Sequence, residues 1–227
     1  MSGKRTPFFL LLRRRVTKLL RSLAARLHLM QTLLGAWWGG TGLSVGRGAR
    51  FYQRTVVSGE GNVRIGRKAT LGYPIGGGFS GRGCELQARY PDAVISLGNG
   101  VAANNGLLVI AAKSVEIGDG CLLGMGVQIL DFDAHGVAPE ERRSSIGRTA
   151  PVVLGRDVWL GNGVILLKGT RIGDNSIVAA GAVVPGGEYP ADVILGGNPA
   201  RIIGDVRGGT PGATERSEEK NAAEDER

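Results

Sequence analysis

Apolar residues recur every six positions in the second half of this chain. Starting at Leu154, the same step reaches Leu160, Leu166, Ile172, Val178 and Val184. The fourth residue after each of these positions, up to residue 182, is small or β-branched. A period of six matches neither an amphipathic helix nor an alternating strand. It is typical of a β-solenoid, in which each short strand contributes one large side chain to a central core and three hexapeptides complete one triangular coil.

The same register returns upstream in shorter pieces. Its members are Val45, Phe51, Val57, Ile65, Leu71, Leu97, Ala103, Val109, Ile117, Leu123 and Ile129. The steps from Val57 to Ile65 and from Val109 to Ile117 are eight residues long, which predicts a small bulge at a corner of the coil. The pattern therefore predicts an all-β, parallel β-helix over residues 41–206.

Two stretches do not follow the six-residue pattern. The segment from Gly72 to Ser96 is predicted to be an irregular insertion, and Cys84 within it receives no role. Residues 131–150 are polar and lie between two parts of the repeat, which predicts a loop extruded from the coil. Functional residues concentrate in loops that a rigid scaffold positions. His135, one of only two histidines in the chain, lies in this loop.

The surroundings of His135 favour a general base. Asp131 and Asp133 precede it closely, and a carboxylate can orient an imidazole and raise its basicity. The alternative interpretation is a tolerated surface insertion in which the histidine is incidental.

Composition agrees with a single narrow coil. The chain has 227 residues, 39 glycines and 5% aromatic residues. Of the net charge of +8, residues 1–30 contribute eight Lys/Arg and no acid, whereas residues 207–227 are predicted to be a disordered acidic tail. The repeat region has no basic patch interleaved with aromatic residues, so a nucleic-acid partner is not expected. Cys121 is predicted to be a packed thiol, and the reducing cytoplasm is the expected compartment.

Residues 1–40 predict a separate basic amphipathic helix. The basic residues Arg14, Lys18 and Arg21 lie on one side of it, and the opposite side is apolar, with Leu12, Val16, Leu19, Leu20, Leu23, Leu27, Met30 and Leu34. Its many charges argue against a transmembrane span, and its run of three arginines argues against a signal peptide. Residues 8–34 could lie in an anionic membrane interface or cap the open end of the coil. The wide basic face favours the first interpretation, with a peripheral location on the inner face of the cytoplasmic membrane.

Three segments together carry a resemblance to a known family. They are "ILDFDAHGVAPEER" (129–142), "VVLGRDVWLGNGVILLKGTRIGDNSIVAAGAVV" (152–184) and "GGNPARIIG" (196–204). Over about residues 43–206 the chain resembles the left-handed β-helix hexapeptide acyltransferases. Within them it is most similar to the galactoside, maltose, nodulation-factor and exopolysaccharide O-acetyltransferases. The resemblance implies a left-handed β-helix, a homotrimer, acetyl-CoA as donor and active sites between neighbouring subunits.

The resemblance also implies roles for individual residues. His135 matches the catalytic histidine, which acts as general base in direct transfer to a hydroxyl of a sugar, a cell-surface polysaccharide or its lipid-linked precursor. Asn104 matches an asparagine at the acceptor and acyl end, and the neighbouring Asn105 is an alternative. The positions that match cofactor contacts are Trp159, Asn162, Ala180 and Arg201. No metal is required.

One departure concerns the donor. After the "AGAVV" segment the family often has Thr or Ser and Lys, which assist CoA binding. This chain has Pro185, Gly186 and Gly187 there, so the donor is less firmly implied than the role of the histidine.

Three other functions can be compared with this one. A zinc enzyme of the carbonic-anhydrase type would need three histidines, and only His28 and His135 exist. A serine O-acetyltransferase would carry a long helical domain ahead of the coil. A non-enzymatic β-helix scaffold would need no histidine loop. The sequence favours the sugar O-acetyltransferase.

Overall fold

A single helix is followed by a triangular coil of short strands. A computed structural model of the chain describes residues 8–77, 81 and 83–208, and of residues 8–12 and 14 only the backbone. The acidic tail predicted for residues 207–227 therefore lies outside the described residues, apart from Arg207 and Gly208. The helix, α1, spans Phe8–Trp38.

The strands form three sheets, one for each side of the triangle. The first sheet contains β1 (Gly42–Val45), β4 (Asn62–Ile65), β7 (Val94–Leu97), β10 (Ser114–Ile117), β13 (Val152–Leu154), β16 (Thr170–Ile172) and β19 (Gly187–Tyr189). The second contains β2 (Arg50–Phe51), β5 (Thr70–Leu71), β8 (Ala102–Ala103), β11 (Leu122–Leu123), β14 (Trp159–Leu160), β17 (Ile177–Val178), β20 (Val193–Gly197) and β21 (Ala200–Asp205). The third contains β3 (Thr55–Ser58), β6 (Cys84–Ala88), β9 (Leu108–Ala111), β12 (Gln128–Leu130), β15 (Ile165–Leu166) and β18 (Val183–Val184).

The order of the strands makes this a parallel β-helix, in agreement with the predicted left-handed coil. The chain visits the three sheets in turn, and each strand pairs in parallel with the equivalent strand of the next coil. The exception is β21, which folds back antiparallel on β20. Leu154, Leu160 and Leu166 lie on three different sheets and are all buried, because the six-residue period places one large side chain per sheet in the core.

The predicted corner bulges are present. The turns at Gly59–Gly61 and at 112–113 add residues between strands, and Ile65 and Ile117 are buried after them. At Gly59 the backbone has a φ of +100° and a Cβ atom would lie 1.9 Å from the carbonyl oxygen of Ala88. Glycine is therefore required at this corner.

The predicted extent of the first insertion was wrong. Residues 84–97 belong to regular coil, since β6 pairs with β3 and β9, and β7 pairs with β4 and β10. Among the described residues, the irregular part is confined to residues 72–77, 81 and 83. An extended corner at residues 89–93 separates β6 from β7, so the step from Leu86 to Leu97 is eleven residues. Because this step is not a multiple of six, the sequence pattern did not reveal these two strands.

Both cysteines are buried in the coil. Cys121 lies at a small-residue position, as predicted, and its Sγ donates to the carbonyl oxygen of Gly155 (3.1 Å). Burial raises the pKa of the Cys121 thiol to about 11. Cys84 lies on β6, where burial also raises its pKa.

Helix α1 covers the first coil with a face of small residues. Ala25, Thr32 and Ala36 are buried, and the Thr32 hydroxyl lies 2.9 Å from the carbonyl oxygen of Thr55 on β3. The capping interpretation is thus correct for this face of the helix.

The apolar stripe of α1 lies on the opposite side and is exposed. It comprises Val16, Leu19, Leu20, Leu23, Leu27, Met30 and Leu34, and is continued by Trp37 and Trp38. The two tryptophans are 75% and 86% exposed. Leu12 and Arg14, which belong to the predicted helical wheel, lie outside the described side chains. No helix in the described part of the chain is long and apolar enough to cross a membrane.

Candidate active site

Three of the predicted site residues, Asn104, Asn162 and Ala180, lie on one edge of the triangle, where the second sheet meets the third. Successive coils place the turns 104–106, 124–126, 161–163 and 179–181 directly above one another, with hydrogen bonds from Gly126 N to Asn105 O (2.9 Å) and from Gly181 N to Asn162 O (2.8 Å). We call these stacked turns the corner column. Coils are spaced at about 4.8 Å, so Asn104 and Ala180 are roughly 14 Å apart along it.

The corner column contains backbone amides as well as exposed side chains such as those of Met125 and Asn162. A Cβ atom at Gly161 would lie 2.6 Å from the Ala180 amide nitrogen, so glycine permits this close stacking. The Asn162 side chain accepts a hydrogen bond from Met125 N (2.8 Å). Within the described residues, the backbone amides of Asn162 and Ala180 have no hydrogen-bond partner. The column therefore offers free donors to a ligand.

The structure distinguishes the two candidate asparagines. Asn105 is buried, and its side chain is fully engaged with Tyr73 N (2.8 Å), Tyr73 O (3.0 Å) and Gly77 O (3.0 Å). Asn104 is half-buried, and its Oδ1 accepts from Asn105 N (2.7 Å). Its Nδ2 has no partner among the described residues. Asn105 thus holds the insertion in place, whereas Asn104 has a donor to spare.

The other two predicted cofactor residues lie on the second sheet. Trp159 is on β14, points away from the core and is 51% exposed. Arg201 is exposed on β21, and its guanidinium donates to the carbonyl oxygen of Ala200 (2.8 Å).

His135 is presented by a hydrogen-bonded hairpin at the corner between the third sheet and the first. The loop from residue 131 to residue 151 joins β12 to β13. Its two legs are linked by hydrogen bonds from Ala150 N to Asp131 O (2.8 Å), from Asp133 N to Arg148 O (3.0 Å) and from Gly136 N to Ser145 O (3.0 Å). The loop is therefore built as a fixed support for His135 near its tip.

The expectation that an aspartate orients His135 was wrong. The Asp131 carboxylate is buried and accepts from the amides of Ala112 (2.6 Å) and Lys113 (2.7 Å), which anchors the base of the loop. Burial raises the pKa of Asp131, against the opposing effect of these amides. Asp133 forms an ion pair with Lys168 (2.6 Å). Both carboxylates support the loop rather than the imidazole.

A backbone carbonyl orients the imidazole instead. His135 Nδ1 lies 2.8 Å from the carbonyl oxygen of Arg142. A carbonyl oxygen can only accept, so this contact places the proton on Nδ1 and leaves the lone pair on Nε2. The ring lines an open cavity of about 760 Å³ beside Tyr90 and Ile146. Sequence reasoning missed Arg142, because a backbone carbonyl leaves no side-chain signature.

Within one chain the site residues fall into two groups. Asn104, Asn162 and Ala180 lie at the second–third corner, whereas His135 lies across the third sheet at the third–first corner. In the part of the chain that the structure describes, no group of three or more His, Cys, Asp or Glu is placed to hold a metal ion.

Two family models match the coil. "Bacterial transferase hexapeptide (six repeats)" matches residues 151–186, and "Hexapeptide repeat of succinyl-transferase" matches residues 103–130. A putative lipopolysaccharide biosynthesis O-acetyl transferase of Escherichia coli is 30% identical over 155 residues, which are 65% of this chain and 74% of the relative. The chain belongs to the hexapeptide-repeat acyltransferase family.

Other members of the hexapeptide-repeat acyltransferase family align over shorter stretches. Galactoside O-acetyltransferases of Escherichia coli and Lactococcus lactis are 33% and 32% identical over 49% and 54% of this chain. These alignments span only 54% and 60% of the two relatives.

Two solved structures share the fold. A hexapeptide-repeat-containing acetyltransferase from Vibrio cholerae, complexed with acetyl coenzyme A, has a TM-score of 0.50 at 23% identity and covers 83% of this chain and 88% of its own. An N-acyltransferase from Bacillus cereus, in complex with dTDP and coenzyme A, has a TM-score of 0.53 at 15% identity, with 83% and 92% covered.

Proposed function

We propose that this protein transfers an acetyl group from acetyl-CoA to a sugar hydroxyl, in a cell-surface polysaccharide or its lipid-linked precursor. The relative that aligns over 74% of its length is named for lipopolysaccharide biosynthesis. The observation that carries the mechanism is the contact between His135 Nδ1 and the carbonyl oxygen of Arg142 (2.8 Å).

His135 acts as general base in this proposal. Its Nε2 takes the proton of the acceptor hydroxyl while the hydroxyl oxygen attacks the thioester carbonyl carbon. As the C–S bond breaks, the imidazolium returns the proton to the departing thiolate. No acyl-enzyme is required, which agrees with the burial of both Cys84 and Cys121.

Asn104 and the corner column supply the remaining contacts. The free Nδ2 of Asn104 can donate to an oxygen at the acceptor and acyl end of the site. The unpartnered amides of Asn162 and Ala180 can donate to the amide carbonyls of pantetheine. Trp159 offers an exposed ring on the adjacent sheet, and Arg201 a guanidinium for phosphate.

The active protein is proposed to be a homotrimer. A complete site needs both corners, so His135 of one subunit must meet the corner column of its neighbour. Outward side chains support this assembly, because Leu122 and Trp159 on the second sheet are apolar and exposed. By contrast, the outward side chains of the first sheet include the exposed charged residues Arg64, Glu116 and Arg171.

The exposed apolar stripe of α1 is proposed to lie in the interface of an anionic membrane. Residues 1–59, which include α1, contain no Asp or Glu, since the first acidic residue of the chain is Glu60. Apolar burial and attraction of basic residues to anionic lipid would act together. This would place the enzyme on the inner face of the cytoplasmic membrane, near a lipid-linked acceptor.

Acetyl transfer to a panel of sugars tests the function. Purified protein with acetyl-CoA should release free thiol faster when a sugar acceptor is added, and mass spectrometry should show one acetyl group gained by that sugar. Thiol release that no sugar accelerates, with no acetylated product, would argue against the proposal and for a scaffold role.

Arg201→Ala should weaken binding of the donor. We expect a higher KM for acetyl-CoA and little change in kcat, because a contact to a remote phosphate is equal in the ground and transition states. Arg64→Ala, on the exposed face of the first sheet, is the matched control. An unchanged KM in Arg201→Ala would remove this residue from the donor site.

A further inference from the structure

A second cavity lies between α1 and the first coils. It has a volume of about 1080 Å³, slightly above the range of about 300–1,000 Å³ typical of small-molecule sites, and is larger than the one beside His135. On the helix side it is lined by Arg13, Lys18, Arg21 and Arg26, and on the coil side by Arg50 and Tyr52. We call this cavity the basic cleft.

Within the described residues, no acidic side chain compensates the positive charge of the basic cleft. Five cationic side chains line it, and the described lining contains no Asp or Glu. None of the ion pairs found between described residues involves these five cations. Converging like charges in a concave site focus a positive potential, which favours an anion.

The positions of Lys18 and Arg21 on α1 argue against a purely lipid-facing role for these two cations. At 100° per residue, Lys18 and Arg21 lie on the same side of the helix as the buried Ala25 and Thr32, and opposite to the exposed stripe. They therefore face the coil rather than the proposed membrane surface. On the coil, Arg50 adds a further positive charge to the cleft.

The far wall of the cleft connects to the proposed acceptor end of the active site. Tyr73, Pro74 and Ile75 line the cleft, and the buried side chain of Asn105 holds the Tyr73 backbone on both sides. A Cβ atom at Gly76 would lie 2.5 Å from Oδ1 of Asn104, so this segment rests directly on Asn104. One continuous segment thus joins the cleft to the residue proposed to contact the acceptor.

We infer that the basic cleft binds the phosphate or diphosphate group of the acceptor, which would make the acceptor a phosphate-linked sugar rather than a free one. Arginine and lysine side chains bind phosphate oxygens through charge-assisted hydrogen bonds, and apolar residues such as Leu29 and Ile75 accommodate the group attached to the phosphate. This inference rests on the proposed function, because it takes the ligand of the cleft to be the acceptor.

Direct binding tests the cleft without any catalysis. The variant Lys18→Gln/Arg21→Gln removes two charges from the cleft, and Arg64→Gln/Arg171→Gln removes two from the exposed side of the first sheet. By calorimetry, the cleft variant should bind a diphosphate, either inorganic pyrophosphate or a nucleoside diphosphate, at least about tenfold more weakly than wild type. The control variant should bind it as tightly as wild type does. Probes are inorganic pyrophosphate, a nucleoside diphosphate, and phosphatidylcholine vesicles with or without a polyprenyl phosphate.

The probes distinguish the source of the phosphate. Cleft-dependent binding of the soluble diphosphates indicates a nucleotide-linked acceptor, and cleft-dependent binding of the phosphate-bearing vesicles alone indicates a lipid-linked one. Equal affinities of the two variants for every probe would overturn the inference. A second outcome would also overturn the inference while leaving the proposed function intact. In that outcome the cleft variant acetylates an unphosphorylated sugar as fast as wild type does, and a phosphate attached to the sugar does not increase the rate. Cleft-dependent binding without acetyl transfer to any sugar would instead count against the proposed function.

Discussion

Replacing His135 with alanine should lower kcat for acetyl transfer by a factor of roughly 10² to 10⁴, the usual effect of losing a general base. The alanine has no group that can take the proton of the acceptor hydroxyl. Binding of acetyl-CoA should change little, because the proposed contacts to the donor come from Trp159, Asn162, Ala180 and Arg201 and none of them from the imidazole. The measurement is steady-state transfer to a sugar, with CoA affinity determined separately.

Two comparisons make this result specific. His28→Ala alters the other histidine of the chain, which lies on α1, and should leave kcat unchanged. Thermal unfolding of His135→Ala should match wild type, since the loop is held by backbone hydrogen bonds and the buried Asp131. Equal rates of transfer by wild type and His135→Ala would show that the assigned mechanism is wrong.

Mixed assemblies can show whether the site is shared. Asn104→Ala should also lose activity, and its defect lies at the other corner of the triangle. Trimers assembled from both inactive variants should regain activity, because some interfaces then combine an intact His135 with an intact Asn104. Mixtures that stay inactive would contradict a site formed between subunits.

Substitution of the exposed stripe should release the protein from membranes. Leu23 and Leu27 are about half exposed, so Leu23→Gln/Leu27→Gln removes apolar surface without disturbing the buried face of α1. Full burial of a leucine side chain is worth about 1.5–3 kcal/mol, so even partial insertion predicts at least tenfold weaker binding to anionic liposomes. Sedimentation with vesicles measures this, and acetylation of a soluble sugar should be retained.

A matched pair of residues controls for nonspecific hydrophobic binding to liposomes. Ile202 and Val206 are exposed aliphatic residues at the other end of the coil, and Ile202→Gln/Val206→Gln should leave liposome binding unchanged. Point substitutions are preferable to removing residues 1–34, since truncation would uncover the surface that Thr32 protects. Full-length protein that ignores anionic liposomes would contradict the membrane proposal.

The sequence predicted the coil well because its core repeats at a fixed interval. Leu154, Leu160 and Leu166 are each buried on a different sheet, as the period of six requires. The same reasoning failed between Leu86 and Leu97, where an extended corner interrupts the count but leaves the strands paired. A periodic pattern reports strands reliably only while the turns between them keep one length.

The helix and the histidine loop were harder to predict for a different reason. The buried face of α1 consists of small residues such as Ala25 and Ala36, which give no apolar stripe, so the sequence identified the exposed leucines and the basic side of the helix but not the residues that pack on the coil. In the loop, Asp131 and Asp133 were noticed for their charge, yet their partners are Ala112, Lys113 and Lys168, which are distant in sequence. Long-range hydrogen bonds to backbone cannot be read from local composition.

The two ends of the coil constrain how copies of the protein can associate. A parallel solenoid presents open strand edges along its axis, which invite end-to-end stacking into fibres. Here α1 packs against β1, β2 and β3 at one end. At the other end β21 reverses direction on β20, so a parallel strand from another copy cannot simply extend the second sheet. Polymerisation along the axis is thereby discouraged, and side-by-side association into a closed ring is left as the favourable route.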